Sequence, residues 1–126
     1  MINVTKTYLP SKKKYQKYVD EIYENNWLTN YGPLVQRLEK RLAKYLGVKN
    51  IVLVSNGTSA LEIAYRALGL KGAVITTPFS FVATTSSLVV SKLSPIFADI
   101  DPNTFNLNPK KIEKIIAKNT SAIVPV

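Results

Sequence analysis

Five consecutive small polar residues, Ser55, Asn56, Gly57, Thr58 and Ser59, follow an aliphatic run at 51–54. They precede a stretch in which Leu61, Ala64, Tyr65 and Leu68 recur at spacings of three and four. The pattern predicts a buried strand, a tight turn and a helix with one core-facing stripe, stopped by Gly69. A helix start gathers unpaired backbone amides and the positive end of the helix dipole at one point, so an anion fits there and a phosphate fits best. Gly57 would let a ligand approach the backbone closely, and the hydroxyls of Thr58 and Ser59 would donate to phosphate oxygens that the amides do not reach. The same residues also suit simple helix capping after a strand. Neither GxGxxG nor the P-loop pattern occurs, so dinucleotide and mononucleotide-loop readings gain no support.

Composition narrows the chemistry further. The 126 residues contain no cysteine and no histidine, which excludes thiolate nucleophiles, disulfides, zinc sites and imidazole acid–base catalysis from this chain, and no metal site is expected. Chemistry must come from Lys, Tyr, Asp, Glu, hydroxyls or a cofactor. A net charge of +9 raises nucleic acid as a partner. The basic residues are nevertheless spread over three predicted amphipathic helices, as Lys12, Lys13, Lys14 and Lys17, then Lys40, Arg41 and Lys44, then Lys110, Lys111 and Lys114. No basic and aromatic surface motif accompanies them, so no nucleic-acid partner is expected, and a positive field equally attracts a nucleotide diphosphate. No apolar run approaches the roughly 20 residues of a membrane span. The opening MINVTKTYLPSKKK lacks the apolar block of a secretory signal, so a cytoplasmic location without a membrane partner is expected.

The elements that would position the turn read in order. Pro10 and Ser11 start a helix through about Asn25, with Tyr15, Val19, Ile22 and Tyr23 on one stripe. The segment NNWLTNYGP is a loop that encloses Trp27, Leu28 and Tyr31, aromatics and an aliphatic that either pack on a core or line a ligand site. Pro33 opens a second helix whose buried face would be Leu34, Val35, Leu38, Leu42, Tyr45 and Leu46, stopped at Gly47. A strand at 73–77 ends before Pro78. FSFVATTSSLVVSK has strand propensity, but parallel strands need a crossover, so it is read as a helix with Phe81, Thr85, Leu88 and Lys92 in register. A strand at 95–100 and a turn at 101–104 follow. Asn108 and Pro109 then start a helix with Ile112, Ile115 and Ile116 inward, and a last strand occupies 122–126. Asp99 and Asp101 are read as strand-end and turn residues rather than catalytic carboxylates. The fold class is α/β, with a mostly parallel sheet flanked by helices. A chain ending inside an apolar strand reads as the N-terminal part of something longer, and an exposed sheet edge predicts self-association.

Taken together, NNWLTNYGP, YLGVKNIVLVSNGTSAL, VITTPFSFVATTSS, PIFADIDPNTFNLNPKKIE and TSAIVPV, in this order and spacing, resemble the DegT/DnrJ/EryC1/StrS family of sugar aminotransferases that depend on pyridoxal 5'-phosphate. The resemblance implies an aspartate-aminotransferase-like (fold type I) large domain. Residues 1–32 would be an N-terminal helix and active-site loop, and residues 33–126 the first part of the cofactor-binding domain. It implies that Gly57, Thr58 and Ser59 hold the cofactor phosphate and that Phe81, otherwise read as a core residue, stacks on the pyridine ring. Thr29, Asn30 and Tyr31 become candidates for sugar or phosphate contacts. The implied reaction moves an amino group, usually from glutamate, to a nucleotide-linked keto sugar, in a homodimer, during polysaccharide or amino-sugar biosynthesis. The family's Schiff-base lysine and its carboxylate partner for the pyridine nitrogen lie beyond the last motif matched here, so no catalytic residue is assigned and these 126 residues alone are expected to be inactive. Some members use the cofactor for dehydration, and a non-catalytic phosphate-binding module is the remaining alternative.

Overall fold

The computed structural model describes residues 4–126, which fall into two compact units, Met1–Leu53 and Val54–Val126. In the first unit, α1 (Lys12–Asn25) begins at Ser11, whose hydroxyl accepts from the Lys14 amide, and it ends where Asn26 turns left-handed at φ 51°. Helix α2 (Pro33–Leu46) begins with Pro33 in its first turn and stops at Gly47, φ 67°. Both ends follow the sequence signals: a side-chain acceptor or proline at the start, and a left-handed residue at the end. Arg37 joins the two helices by a 2.9 Å ion pair to Glu21 and lies 5.3 Å from the Tyr18 ring centre.

The expected burial of both apolar stripes is only partly met. Val19, Ile22, Leu34 and Leu42 are half-buried, whereas Tyr15, Tyr23, Val35, Leu38, Tyr45 and Leu46 are exposed. The two helices do not pack closely along their lengths, so much of each stripe has no neighbour, and an apolar groove of about 340 Å³ remains open beside Tyr15, Val19, Ile22, Leu34 and Leu38. The strand expected at 51–54 is also corrected: the segment has no ladder partner among the described residues. Aliphatic residues supply strand propensity, but a strand needs a neighbour's backbone. Here the Leu53 amide donates instead to the Glu39 carboxylate at 2.9 Å, and Val52 is exposed.

The second unit is a parallel sheet with helices on both faces. Strand β1 (Ala73–Thr76) is its centre, flanked by β2 (Ser94–Phe97) and β3 (Thr120–Ile123) in the order β2-β1-β3. All four β1 residues are buried, as a strand covered on both faces must be. Val74 packs on one face with Tyr65 of α3 (Gly57–Ala67), Leu88 of α4 (Val82–Val90) and Leu93. Ile75 packs on the other with Ala98 and Leu107, against Ile96, Ile112 and Ile115, the isoleucines 112 and 115 belonging to and following α5 (Pro109–Glu113). Topology overrules strand propensity in α4, as expected.

Several boundaries shift. The strands expected at 95–100 and 122–126 occupy Ser94–Phe97 and Thr120–Ile123. The strand expected to reach residue 77 stops at Thr76, and Ile100 forms only an isolated antiparallel bridge with Leu107. Leu68 and Ile116, assigned inward, are exposed; α3 ends before Leu68, and past the end of α5 it is Ile115, not Ile116, that packs against the core. On α4, Leu88 and Ser87 are fully buried while Phe81 and Lys92 stay outside.

Candidate active site

Gly57, Thr58 and Ser59 form the first turn of α3, and Asn56 caps it by accepting the Ser59 amide at 2.8 Å. One of the amides assigned to an anion is therefore already satisfied. Those of Gly57 and Thr58 have no protein acceptor among the described residues, and they carry the positive end of the α3 dipole. Gly57 needs no left-handed backbone, and a Cβ added to it would meet nothing within 4 Å. Among the described residues neither conformation nor packing requires glycine at this place, the first residue of the helix. Glycine leaves the helix start without a side chain at its first residue, beside two unpaired amides to which an anion can come close. The donor set therefore fits the phosphate of pyridoxal 5'-phosphate, with the Thr58 and Ser59 hydroxyls as further donors.

Phe81 stands as the N-cap of α4 and is 79% exposed, with no side-chain hydrogen bond to that helix. It is neither a core residue nor a polar cap. Five residues separate α3 from β1 and five separate β1 from α4, and α3 and α4 both pack on the Val74 face. Each helix thus runs back along β1, and both N-terminal turns lie at the carboxyl end of that strand. The phosphate turn and the Phe81 ring accordingly share one edge of the sheet.

The same edge holds features that no local periodicity signals. Phe79 stacks on Phe105 with centroids 5.9 Å apart and planes 26° from parallel. Asp101 accepts from the amides of Asn103 and Thr104, folding a turn that carries Phe105 at φ 59°. Asp101 is thus a turn residue, as its sequence context predicts. The Ser80 hydroxyl, in the loop between β1 and α4, lies 2.7 Å from the Thr84 hydroxyl in the first turn of α4, and the Thr77 hydroxyl accepts the Phe79 amide. These bonds hold the backbone that leads to Phe81.

In the first unit, Thr29, Asn30 and Tyr31 form a tight loop with two successive left-handed residues, Asn30 at φ 55° and Tyr31 at φ 62°. Such backbone costs about 1–3 kcal/mol per strained residue and persists where its surroundings fix it. Three bonds do so: the Trp27 indole donates to the Thr29 carbonyl at 2.7 Å, Gln36 to the Tyr31 carbonyl at 2.8 Å, and the Tyr31 hydroxyl to Glu39 at 2.8 Å. Trp27, Leu28 and Tyr31 remain largely exposed, so the aromatics do not pack into a core of this unit. The hydrogen bond to the Glu39 carboxylate, followed by desolvation and the nearby negative charge, pushes the Tyr31 phenol above its ordinary pKa. Glu39 is the residue that sequence reasoning missed. Its position on α2 carries no motif, and only the folded loop shows what it holds.

A profile described as the DegT/DnrJ/EryC1/StrS aminotransferase family matches residues 10–126. Over 125 residues the chain is 51% identical to a dTDP-4-amino-4,6-dideoxy-D-glucose transaminase of Shigella dysenteriae, covering 99% of this chain and 34% of that protein. It superposes on DesI, crystallised in the presence of its TDP-sugar product, with TM-score 0.85 and 37% identity over 91% of this chain and 29% of that one. It superposes on NtdA from Bacillus subtilis, with bound cofactor PMP, at TM-score 0.82 and 33% identity, covering 91% of this chain and 27% of that one. The chain spans about a third of the length of the curated relatives it matches.

Proposed function

We propose, from the premise that this chain belongs to the DegT/DnrJ/EryC1/StrS aminotransferase family, that it supplies the phosphate cup and ring platform of an enzyme that transfers an amino group to a nucleotide-linked keto sugar. The observation that carries this reading is Gly57: a glycine that nothing in the fold requires, at a helix start with two unpaired amides, on the same sheet edge as an exposed Phe81. The fold is the fold-type-I α/β arrangement of the sugar aminotransferases it superposes on.

When bound, pyridoxal 5'-phosphate supplies the aldehyde and electron-withdrawing ring through which an amino group passes from donor to acceptor. The chain's own residues bind and orient. The Gly57 and Thr58 amides and the Thr58 and Ser59 hydroxyls hold the phosphate dianion, and the Phe81 face restrains the ring by offset stacking without adding charge. Thr29 and Asn30, whose side chains have no protein hydrogen bond among the described residues, and Tyr31 contact the nucleotide sugar. The donor is glutamate, and the working unit is a cytoplasmic homodimer. None of the lysines here stands in the family's lysine motif, so in this reading these 126 residues bind and position but do not complete the transfer.

The direct test is to titrate the protein with pyridoxal 5'-phosphate and with pyridoxal, following absorbance. Replacing Thr58 by Ala removes one charge-assisted hydrogen bond and is expected to weaken the phosphorylated ligand about tenfold or more while leaving pyridoxal unchanged. Equal effects on both ligands, or none on either, would remove the phosphate assignment.

A further inference from the structure

The Tyr31 hydroxyl carries one proton, and that proton is committed. The hydroxyl donates to Glu39 Oε2 at 2.8 Å, and an ionised carboxylate only accepts, so the direction of this bond is fixed. Glu39 is itself held in place, because its Oε1 accepts the Leu53 amide at 2.9 Å. On the other side, Gln36 pins the Tyr31 carbonyl at 2.8 Å, and the side chain remains accessible to solvent. The phenolic oxygen therefore faces a ligand with lone pairs and no hydrogen. A phosphate oxygen brought to it meets only acceptor density, with the Glu39 charge behind it. A ligand hydroxyl or N–H meets an acceptor strengthened by the carboxylate bond. Thr29 and Asn30 differ from Tyr31, since the hydrogen bonds of this loop among the described residues use the Thr29 carbonyl and the Tyr31 carbonyl and hydroxyl and leave the Thr29 and Asn30 side-chain donors unused.

Resting on the assignment of residues 29–31 to the nucleotide sugar, we propose that Tyr31 is a specificity-determining residue that accepts a hydrogen bond from a hydroxyl or N–H of the ligand and does not bind its phosphates. Glu39 is the positioning residue that fixes this polarity. Two sources of donor exist on such a ligand, the sugar hydroxyls and the nucleoside, and they are separable by ligand truncation.

The experiment measures affinities of the intact protein for pyrophosphate, dTDP and dTDP-glucose by calorimetry, for wild type, Tyr31→Phe and Glu39→Gln. Loss of about tenfold on Tyr31→Phe for dTDP-glucose alone assigns a sugar hydroxyl. The same loss for dTDP and dTDP-glucose but not pyrophosphate assigns a donor on the nucleoside. Loss on pyrophosphate as well, or no loss on any ligand that wild type binds, overturns the proposal. Wild-type protein that binds none of the three removes the nucleotide-sugar reading itself, and this inference with it. An independent readout is the Cζ carbon resonance of Tyr31, identified by its absence in Tyr31→Phe. It is expected to titrate above the ordinary range of a tyrosine phenol and to fall back toward that range in Glu39→Gln, and an unchanged titration in that variant overturns the role given to Glu39.

Discussion

At the scale of single residues, the phosphate turn separates stability from binding in a way that few glycines allow. Gly57→Ala adds a methyl group that meets no neighbour and removes a poor helix former. The ligand-free protein is expected to unfold at equal or higher denaturant, with a gain of up to about 1 kcal/mol. Affinity for pyridoxal 5'-phosphate should fall about tenfold, because a methyl at the first helical residue crowds the approach of a phosphate to the helix start. A variant that binds the cofactor as well as wild type would show that the open space is not the ligand's. Phe81 makes the complementary case. It stands exposed at an N-cap, where Ser, Thr, Asn or Asp would be the stabilising choice, and so contributes little to the stability of the fold among the described residues. Phe81→Asn should therefore leave stability equal or improved and weaken cofactor binding, read from the same two titrations.

At the scale of elements, the ends were more legible than the faces. Ser11, Asn56 and Asn108 each accept the amide their positions predict, and Gly47 and Gly69 take the left-handed conformation that stops a helix. These are local events, written within four residues of sequence. The strand at 51–54 and the inward faces of α1 and α2 depend on what stands opposite, which no periodicity encodes. Glu39 and the Phe79–Phe105 stack escaped for the same reason, since each joins segments distant in sequence. Two glycines in one chain also behave differently for reasons visible only in three dimensions. Gly72 has φ 80°, and a Cβ there would lie 2.9 Å from the Asn119 carbonyl oxygen, where the Ala73 amide pairs β1 to the start of β3. Gly72→Ala is expected to cost about 2–3 kcal/mol in equilibrium unfolding, in contrast to Gly57→Ala. Tyr65 packs in the same layer with its hydroxyl buried and without a partner among the described residues. Tyr65→Phe should be neutral or stabilising by about 1 kcal/mol, whereas Leu88→Ala should cost about 2–5 kcal/mol.

At the scale of the whole molecule, the unmatched surface is the dominant fact. Strands β2 and β3 each lack a second neighbour among the described residues, and apolar side chains such as Val90, Ile123 and Leu46 lie exposed. Edges of this kind pair with further strands. The 126 residues alone are expected to sediment as a concentration-dependent mixture, and Ile123→Lys on β3 should shift it toward monomer. A single sharp monomer boundary for the unaltered chain would contradict this. The order β2-β1-β3 has one more consequence. The chain leaves β1 through α4 on the Val74 face to reach β2, then returns through α5 on the Ile75 face to place β3 on the far side of β1. The two crossovers lie on opposite faces, so the winding itself covers β1 from both sides and seals the strand that leads to Phe81. At the carboxyl end of β1 the Thr76 hydroxyl donates to the Val124 carbonyl at 2.9 Å, and the Val124 amide donates to the Ile75 carbonyl, so the join between β1 and the chain leaving β3 continues past the last ladder residue and anchors the root of the loop that carries Phe81.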